Sequence, residues 1–129
     1  MKSITIEQRV RYVECDPMGV VHHSVYPIWL EIARTELLRR TGISYAQLEA
    51  AGTFIVVVDL HLKFKKPARY DDLLRITATL KTLGPVRLEH LYEIHRDDEL
   101  LATATTTLAC VNRQGQLVPV PDALLTGSV

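Results

Sequence analysis

The sequence predicts an α+β fold in which a five-stranded antiparallel sheet wraps one long central helix. Three observations lead there. A single stretch, from about Ser24 to Arg40, repeats apolar residues at helical spacing. One stretch before it and four after it alternate polar and apolar residues with the period of half-buried strands. Short clusters of Pro, Gly and Asp separate the strands, as antiparallel neighbours require.

The first strand is expected over residues 4 to 13, with Ile4, Ile6, Gln8, Val10 and Tyr12 on the inward face. Glu14-Cys15-Asp16-Pro17-Met18-Gly19 then reads as a turn, because Pro17 fixes one backbone angle and Gly19 reaches conformations other residues resist. In the helix, Val25, Ile28, Trp29, Ile32, Ala33 and Leu37 form one apolar stripe, and Leu30 and Leu38 widen it. Ser24 is the expected N-cap, Pro27 sits in the first turn where its missing N–H is harmless, and Gly42 supplies the stop.

A short helical turn is expected on Tyr45, Leu48 and Ala51. The stretch from Phe54 to Lys65 reads as a long strand with Phe54, Val56, Val58, Leu60, Leu62 and Phe64 inward. Beyond Pro67 and the Tyr70-Asp71-Asp72 turn, Leu74, Ile76, Ala78 and Leu80 mark a third strand. Gly84-Pro85 signals a hairpin into a fourth strand with Val86, Leu88, His90, Tyr92 and Ile94 inward. The last strand runs from about Leu100 to Val111. From about residue 113 the alternation stops, and an irregular tail ending in a weakly ordered Thr126 to Val129 is expected.

At 129 residues the chain fits one domain, 1–129. Its 15 basic and 15 acidic side chains balance, so no global field favours nucleic acid or an anionic membrane. Cys15 and Cys110 have no CxxC spacing and read as free thiols of a reducing compartment. No leader-like run and no stretch of about 18 apolar residues is present, so the expectation is a cytoplasmic protein without membrane insertion.

The chemistry is expected at the junction of the first strand and the long helix. A carboxylate in a tight turn, Asp16, precedes the unpaired amides and positive dipole end of that helix. Such a carboxylate can act as nucleophile or base, or it can simply cap a turn. His22 and His23 are adjacent, which disfavours their convergence on one ion, so no metal and no cofactor is expected. Tyr12 can donate to Asp16 or to water, or serve only as a core residue. Cys15 reads as a packed thiol, not a nucleophile.

The run Asp16-Pro17-Met18-Gly19-Val20-Val21-His22-His23-Ser24, with Tyr26 and then Glu31, Ala33, Arg34, Thr35 and Glu36, resembles hot-dog-fold acyl-CoA thioesterases of the 4-hydroxybenzoyl-CoA thioesterase type. It is most similar to the bacterial branch associated with the Tol-Pal system. The PARYDD turn at 67 to 72 and the element order extend the likeness over about residues 4 to 112. The resemblance implies hydrolysis of an acyl-CoA thioester to free acid and coenzyme A, without a cofactor. It also implies homodimers that pair sheets edge to edge, often homotetramers, with active sites shared between subunits.

By position, the resemblance assigns Asp16 as the catalytic carboxylate and the backbone amide near His23 as the carbonyl-binding group, with Tyr12 and the His23 side chain at the same site. Gly19, Val20, Val25 and Tyr26 fall on substrate-binding positions, although many relatives carry Asn or Ser where this chain has Val25. Lys63, Lys65, Lys66 and Arg69 form the one dense basic stretch, suited either to coenzyme A phosphates or to a solvated edge strand. Alternatives at this stage are an acyl-carrier-protein or aromatic-CoA thioesterase, and a non-catalytic acyl-CoA-binding module.

Overall fold

The computed structural model describes residues 2–126. Five strands, β1 (Lys2–Arg9), β2 (Phe54–Phe64), β3 (Leu73–Leu83), β4 (Arg87–Arg96) and β5 (Glu99–Val111), form one antiparallel sheet in the order β1-β3-β4-β5-β2. Helix α1 (Tyr26–Arg39) lies across the inner face, followed by a short α2 (Tyr45–Ala50) and a terminal α3 (Asp122–Thr126). The expected five-stranded sheet and long helix are both present.

The core forms where α1 meets β1, β3 and β4. Trp29, Leu30, Ala33 and Leu37 are buried against Ile4, Ile76, Ala78 and Ile94. Burying side chains of this size is the main favourable term of the fold, at about 1.5–3 kcal/mol for each large aliphatic or aromatic group. A second cluster joins Leu38 and Leu48 to Leu88, Leu108 and Cys110. Val120 and Leu124 complete it, so the tail expected to be irregular is anchored by apolar burial and ends in α3. Residues 127–129, part of the weakly ordered end expected from sequence, lie outside the described residues.

Three local expectations need correction. The first strand stops at Arg9, and Tyr12 opens a 3-10 turn (Tyr12–Glu14) instead of pointing inward. Its ring is 79% exposed and lies edge-on to Tyr70 at 5.5 Å. Ser24 is not the helix cap. It sits inside a 3-10 turn (His23–Val25) leading into α1, and the His22 ring accepts its N–H at 3.2 Å. Pro27 does fall in the first turn of α1.

The third correction concerns β2. A bulge between Val57 and Asp59 shifts the register against β5, pairing Ile55 with buried Cys110 and Val57 with buried Leu108. The inward set is therefore Ile55, Val57, Leu60, Leu62 and Phe64, not Phe54, Val56 and Val58. One extra residue inverts the phase of everything before it. Ile28 and Ile32, expected on the apolar stripe of α1, are instead 55% and 39% exposed, so the described residues do not enclose the helix.

Candidate active site

The sequence builds the site from a hairpin-like turn pinned at both ends. Val10 donates its N–H to the Asp72 carbonyl at 2.9 Å, closing β1 onto the 65–72 loop. Glu14 follows, a buried carboxylate that accepts from the Arg11 backbone at 2.7 Å, the Arg11 guanidinium at 3.2 Å and the Trp29 indole N–H at 3.2 Å. A buried carboxylate is tolerated only when its acceptor capacity is filled in this way. It ties the turn to the centre of α1.

Cys15 and Val21 then pair across the turn, the Asp16 N–H donates to the Val20 carbonyl at 2.9 Å, and the Gly19 N–H donates to the Asp16 carbonyl at 2.9 Å. Gly19 takes a φ of +79°, a left-handed conformation that a side chain would strain. Asp16 Oδ1 accepts the N–H groups of Met18 at 2.9 Å and Val20 at 3.3 Å. This Asx arrangement fixes the carboxylate through one oxygen and, among the described residues, leaves Oδ2 without a partner.

The return limb of the turn is held by the 65–72 loop. Val20 bridges Arg69, and the Val21 N–H donates to the Ala68 carbonyl at 2.8 Å. The loop is itself clamped by Arg96, which donates to Asp72 at 2.8 Å, Glu99 at 2.7 Å and the Pro67 carbonyl at 3.2 Å. Lys66 meets the other Glu99 oxygen at 2.8 Å. Hydrogen bonds from Lys66 and then Arg96 hold the Glu99 carboxyl at a pKa of about 2.

Asp16 opens onto a cleft of about 400 Å³ whose walls include Val20, His23, Tyr26 and Phe64. Tyr26 is buried with its ring 4.9 Å from Phe64 and 5.2 Å from Trp29. Burial raises the Tyr26 phenol pKa, opposed by a backbone hydrogen bond from Ala68 and by Arg96, so it is a neutral wall of the cleft at ordinary pH. At the start of the 3-10 turn, the N–H groups of Ser24 and Val25 are taken by His22, through its ring and its carbonyl. Among the described residues no backbone carbonyl accepts the His23 N–H, which leaves a donor of the kind expected at a helix start. The His23 side chain is exposed and its ring centroid lies 4.2 Å from that of His22.

The structure therefore brings Asp16, Val20, His23 and Tyr26 to one cleft, with Gly19 shaping the turn beside it. Of the other sequence-derived residues, Lys65 and Lys66 join them and the rest do not. Val25 is buried in the core and does not line the cleft. Tyr12 lies outside the cleft on the exposed side of its turn. The basic stretch divides: Lys65 and Lys66 line the cleft, Lys63 faces a groove on the outer side of the sheet, and Arg69 is exposed at its bridge to Val20. Lys63 lies within β2, whereas Lys65 and Lys66 follow its end at Phe64 and Arg69 lies further along the 65–72 loop, so the four do not share one patch.

Sequence reasoning missed Phe64 as a cleft wall and Glu14 as the anchor beneath Asp16. Phe64 was legible as inward, but nothing in the sequence pairs it with Tyr26. Glu14 carries no signal without the position of Trp29. Among the described residues, no helix is long and apolar enough to cross a membrane, and no three His, Cys, Asp or Glu side chains form a group that could hold a metal.

Comparison with known proteins agrees with this geometry. A family profile described as the thioesterase-like superfamily matches residues 10–127. The acyl-CoA thioester hydrolase YbgC of Escherichia coli is 33% identical over 81% of this chain and 78% of its own length. A hypothetical protein of Thermus thermophilus superposes with a TM-score of 0.90 at 36% identity, covering 98% of each chain. The DHNA-CoA thioesterase of Staphylococcus aureus superposes with a TM-score of 0.85 at 31% identity, covering 93% of this chain and 80% of its own.

Proposed function

Because the chain belongs to the thioesterase-like superfamily, we propose that it is an acyl-CoA thioesterase that uses Asp16 to cleave the thioester and the His23 backbone N–H to polarise its carbonyl. The observation that carries this reading is the state of Asp16. Its Oδ1 is fixed by the amides of Met18 and Val20, and among the described residues its Oδ2 is left without a partner at a cleft that also holds His23. A carboxylate needed only for the turn would have no reason to face a cleft.

A thioester carbonyl is less stabilised by resonance than an amide, so few groups are needed. Asp16 Oδ2 either attacks the carbonyl carbon, giving a mixed anhydride and coenzyme A thiolate, or removes a proton from an attacking water. In both routes negative charge grows on the carbonyl oxygen, and the His23 N–H at the helix start meets it. Loss of one such donor costs about 2.7–4 kcal/mol in enzymes where it has been removed. Tyr26 and Phe64 shield the acyl side from water, and Lys65 and Lys66 offer positive charge to the coenzyme A phosphates. Lys63 and Arg69 are not assigned to that surface.

A second copy of the chain belongs in this reading. Strand β2 is an edge of the sheet and carries exposed Val56, Val57, Val58 and Leu60, a long apolar edge that soluble proteins cover. Pairing β2 with β2 of another copy buries it and closes the cleft beside Phe64. The test of the activity is release of free thiol from a panel of acyl-CoAs, from short aliphatic to aromatic. Turnover of at least one member is expected. Binding of acyl-CoA without thiol release across the panel would replace the enzyme with a binding module.

A further inference from the structure

Arg34 sits on α1, buried, and among the described residues its guanidinium reaches a carboxylate only at Glu31, 3.8 Å away, whose own side chain is 70% exposed. Tyr45 of α2 lines a cavity with Arg34, and burial raises its phenol pKa with the Arg34 charge opposing. A desolvated cation with one loose, solvent-facing counter-ion is an incomplete arrangement. On the inner face of β4 stands His90, 6% exposed, whose Nδ1 has no hydrogen-bond partner among the described residues. The nearby Tyr92 hydroxyl and Thr106 Oγ1 bond each other at 2.7 Å and do not relieve it. Burial, with the Arg34 charge adding, lowers the His90 pKa to about 4, so at neutral pH it is an uncharged hydrogen-bonding group.

Arg34, Tyr45 and His90 line one internal cavity of about 30 Å³ walled by Leu37, Leu88 and Leu108. The same guanidinium also borders two clefts along the seam between α1 and β2. One of these runs past Ile28, Val57 and Leu60 to Pro27, the residue after Tyr26 of the Asp16 cleft. This cleft and the Asp16 cleft border consecutive residues of the helix start, and Tyr26 lies about 12 Å from Arg34 along the helix axis, at ~1.5 Å per residue.

Resting on the thioesterase reading above, we propose that Arg34, assisted by Tyr45 and His90, binds a carboxylate at the far end of the acyl chain, so that the preferred substrates are mono-CoA thioesters of medium-length dicarboxylic acids. The guanidinium supplies paired, charge-assisted hydrogen bonds of the geometry a carboxylate matches. The ω-carboxylate completes the charge balance that Glu31 leaves unfinished, and His90 donates from Nδ1 in the tautomer that the ligand selects. Methylene groups lie along Ile28, Val57 and Leu60. A chain advancing about 1.2 Å per bond spans that distance in roughly ten bonds.

The test compares coenzyme A release from matched pairs, octanoyl-CoA with suberoyl-CoA and decanoyl-CoA with sebacoyl-CoA. For the wild type, kcat/KM is expected to favour the dicarboxylic member by about 10- to 100-fold, the worth of a hydrogen-bonded charge, mainly through KM. Arg34→Met, which keeps the apolar stem, is expected to bring the ratio to about one. Tyr45→Phe, which removes only a hydroxyl, is expected to lower the ratio in part and keeps the test alive should Arg34→Met fail to fold. Equal rates for both members in the wild type, or an unchanged ratio in both variants, would overturn the proposal. Should no thioester be cleaved at all, the thioesterase reading fails separately. Calorimetric binding of suberoyl-CoA against octanoyl-CoA then still decides the role of Arg34, with equal affinities counting against it.

Discussion

The two sides of helix α1 are finished to different degrees. Toward β1 and β3, Trp29 and Ala33 are fully buried against Ile4, Ile76 and Ala78, and the one polar atom in the way, the indole N–H, is met by Glu14. Toward β2, Ile28 faces solvent beside exposed Val57 and Leu60, and among the described residues His90 Nδ1 is unmatched. Helix and sheet are the same on both sides. What differs is whether the described residues of this chain cover the helix, and on the β2 side they leave apolar side chains exposed.

The largest effect is expected on the closed side. Trp29→Ala removes a fully buried indole and one of the donors to the buried Glu14 carboxylate, and should cost about 3–5 kcal/mol in urea denaturation. A loss below about 1 kcal/mol would mean that the two sides are equally loose. A smaller effect distinguishes the polar end of the open side. His90 has a folded pKa near 4 against an ordinary value of 6.5, so between these values the unfolded chain binds the extra proton. Stability should therefore be fully present above about pH 6.5 and decline as pH falls toward 4, by roughly 2–3 kcal/mol. His90→Leu should flatten that part of the pH–stability curve.

The smallest effect on folding is expected at Ile28 and Ile32. Ile28→Ser, an exposed substitution, should change monomer stability by no more than about 0.5 kcal/mol, measured by denaturation at low protein concentration. Sedimentation should show the same variant with weakened self-association. A substantial loss of monomer stability would show that the exposed face is part of this chain's own core.

The sequence shows part of this contrast. Helical spacing picks out Trp29, Leu30, Ala33 and Leu37 but also Ile28 and Ile32, which are exposed, while the inward sets of β3 and β4 follow from strict alternation through Ala78 and Ile94. In Phe54-Ile55-Val56-Val57-Val58 both phases are apolar, so nothing in the residues reveals the bulge that selects Ile55 and Val57. Tyr12 continues the alternation of β1, yet the chain turns first, because Val10 and Asp72 close the strand from outside it. At the site, Asp16 and Gly19 declare their turn by type and spacing. The burial of Arg34 and Glu14 depends on partners distant in sequence or solvent access that only the folded chain sets.

The central claim is that Asp16 is the reacting group and not only a turn residue. Asp16→Asn tests it directly, because an asparagine Oδ1 can still accept from the Met18 and Val20 amides, keeping the turn while removing the free carboxylate oxygen. With an acyl-CoA that the wild type cleaves, kcat for thiol release is expected to fall by about 10²- to 10⁴-fold while the thermal midpoint stays within about 2 °C. Thiol release at the wild-type rate by a folded Asp16→Asn protein would contradict the claim.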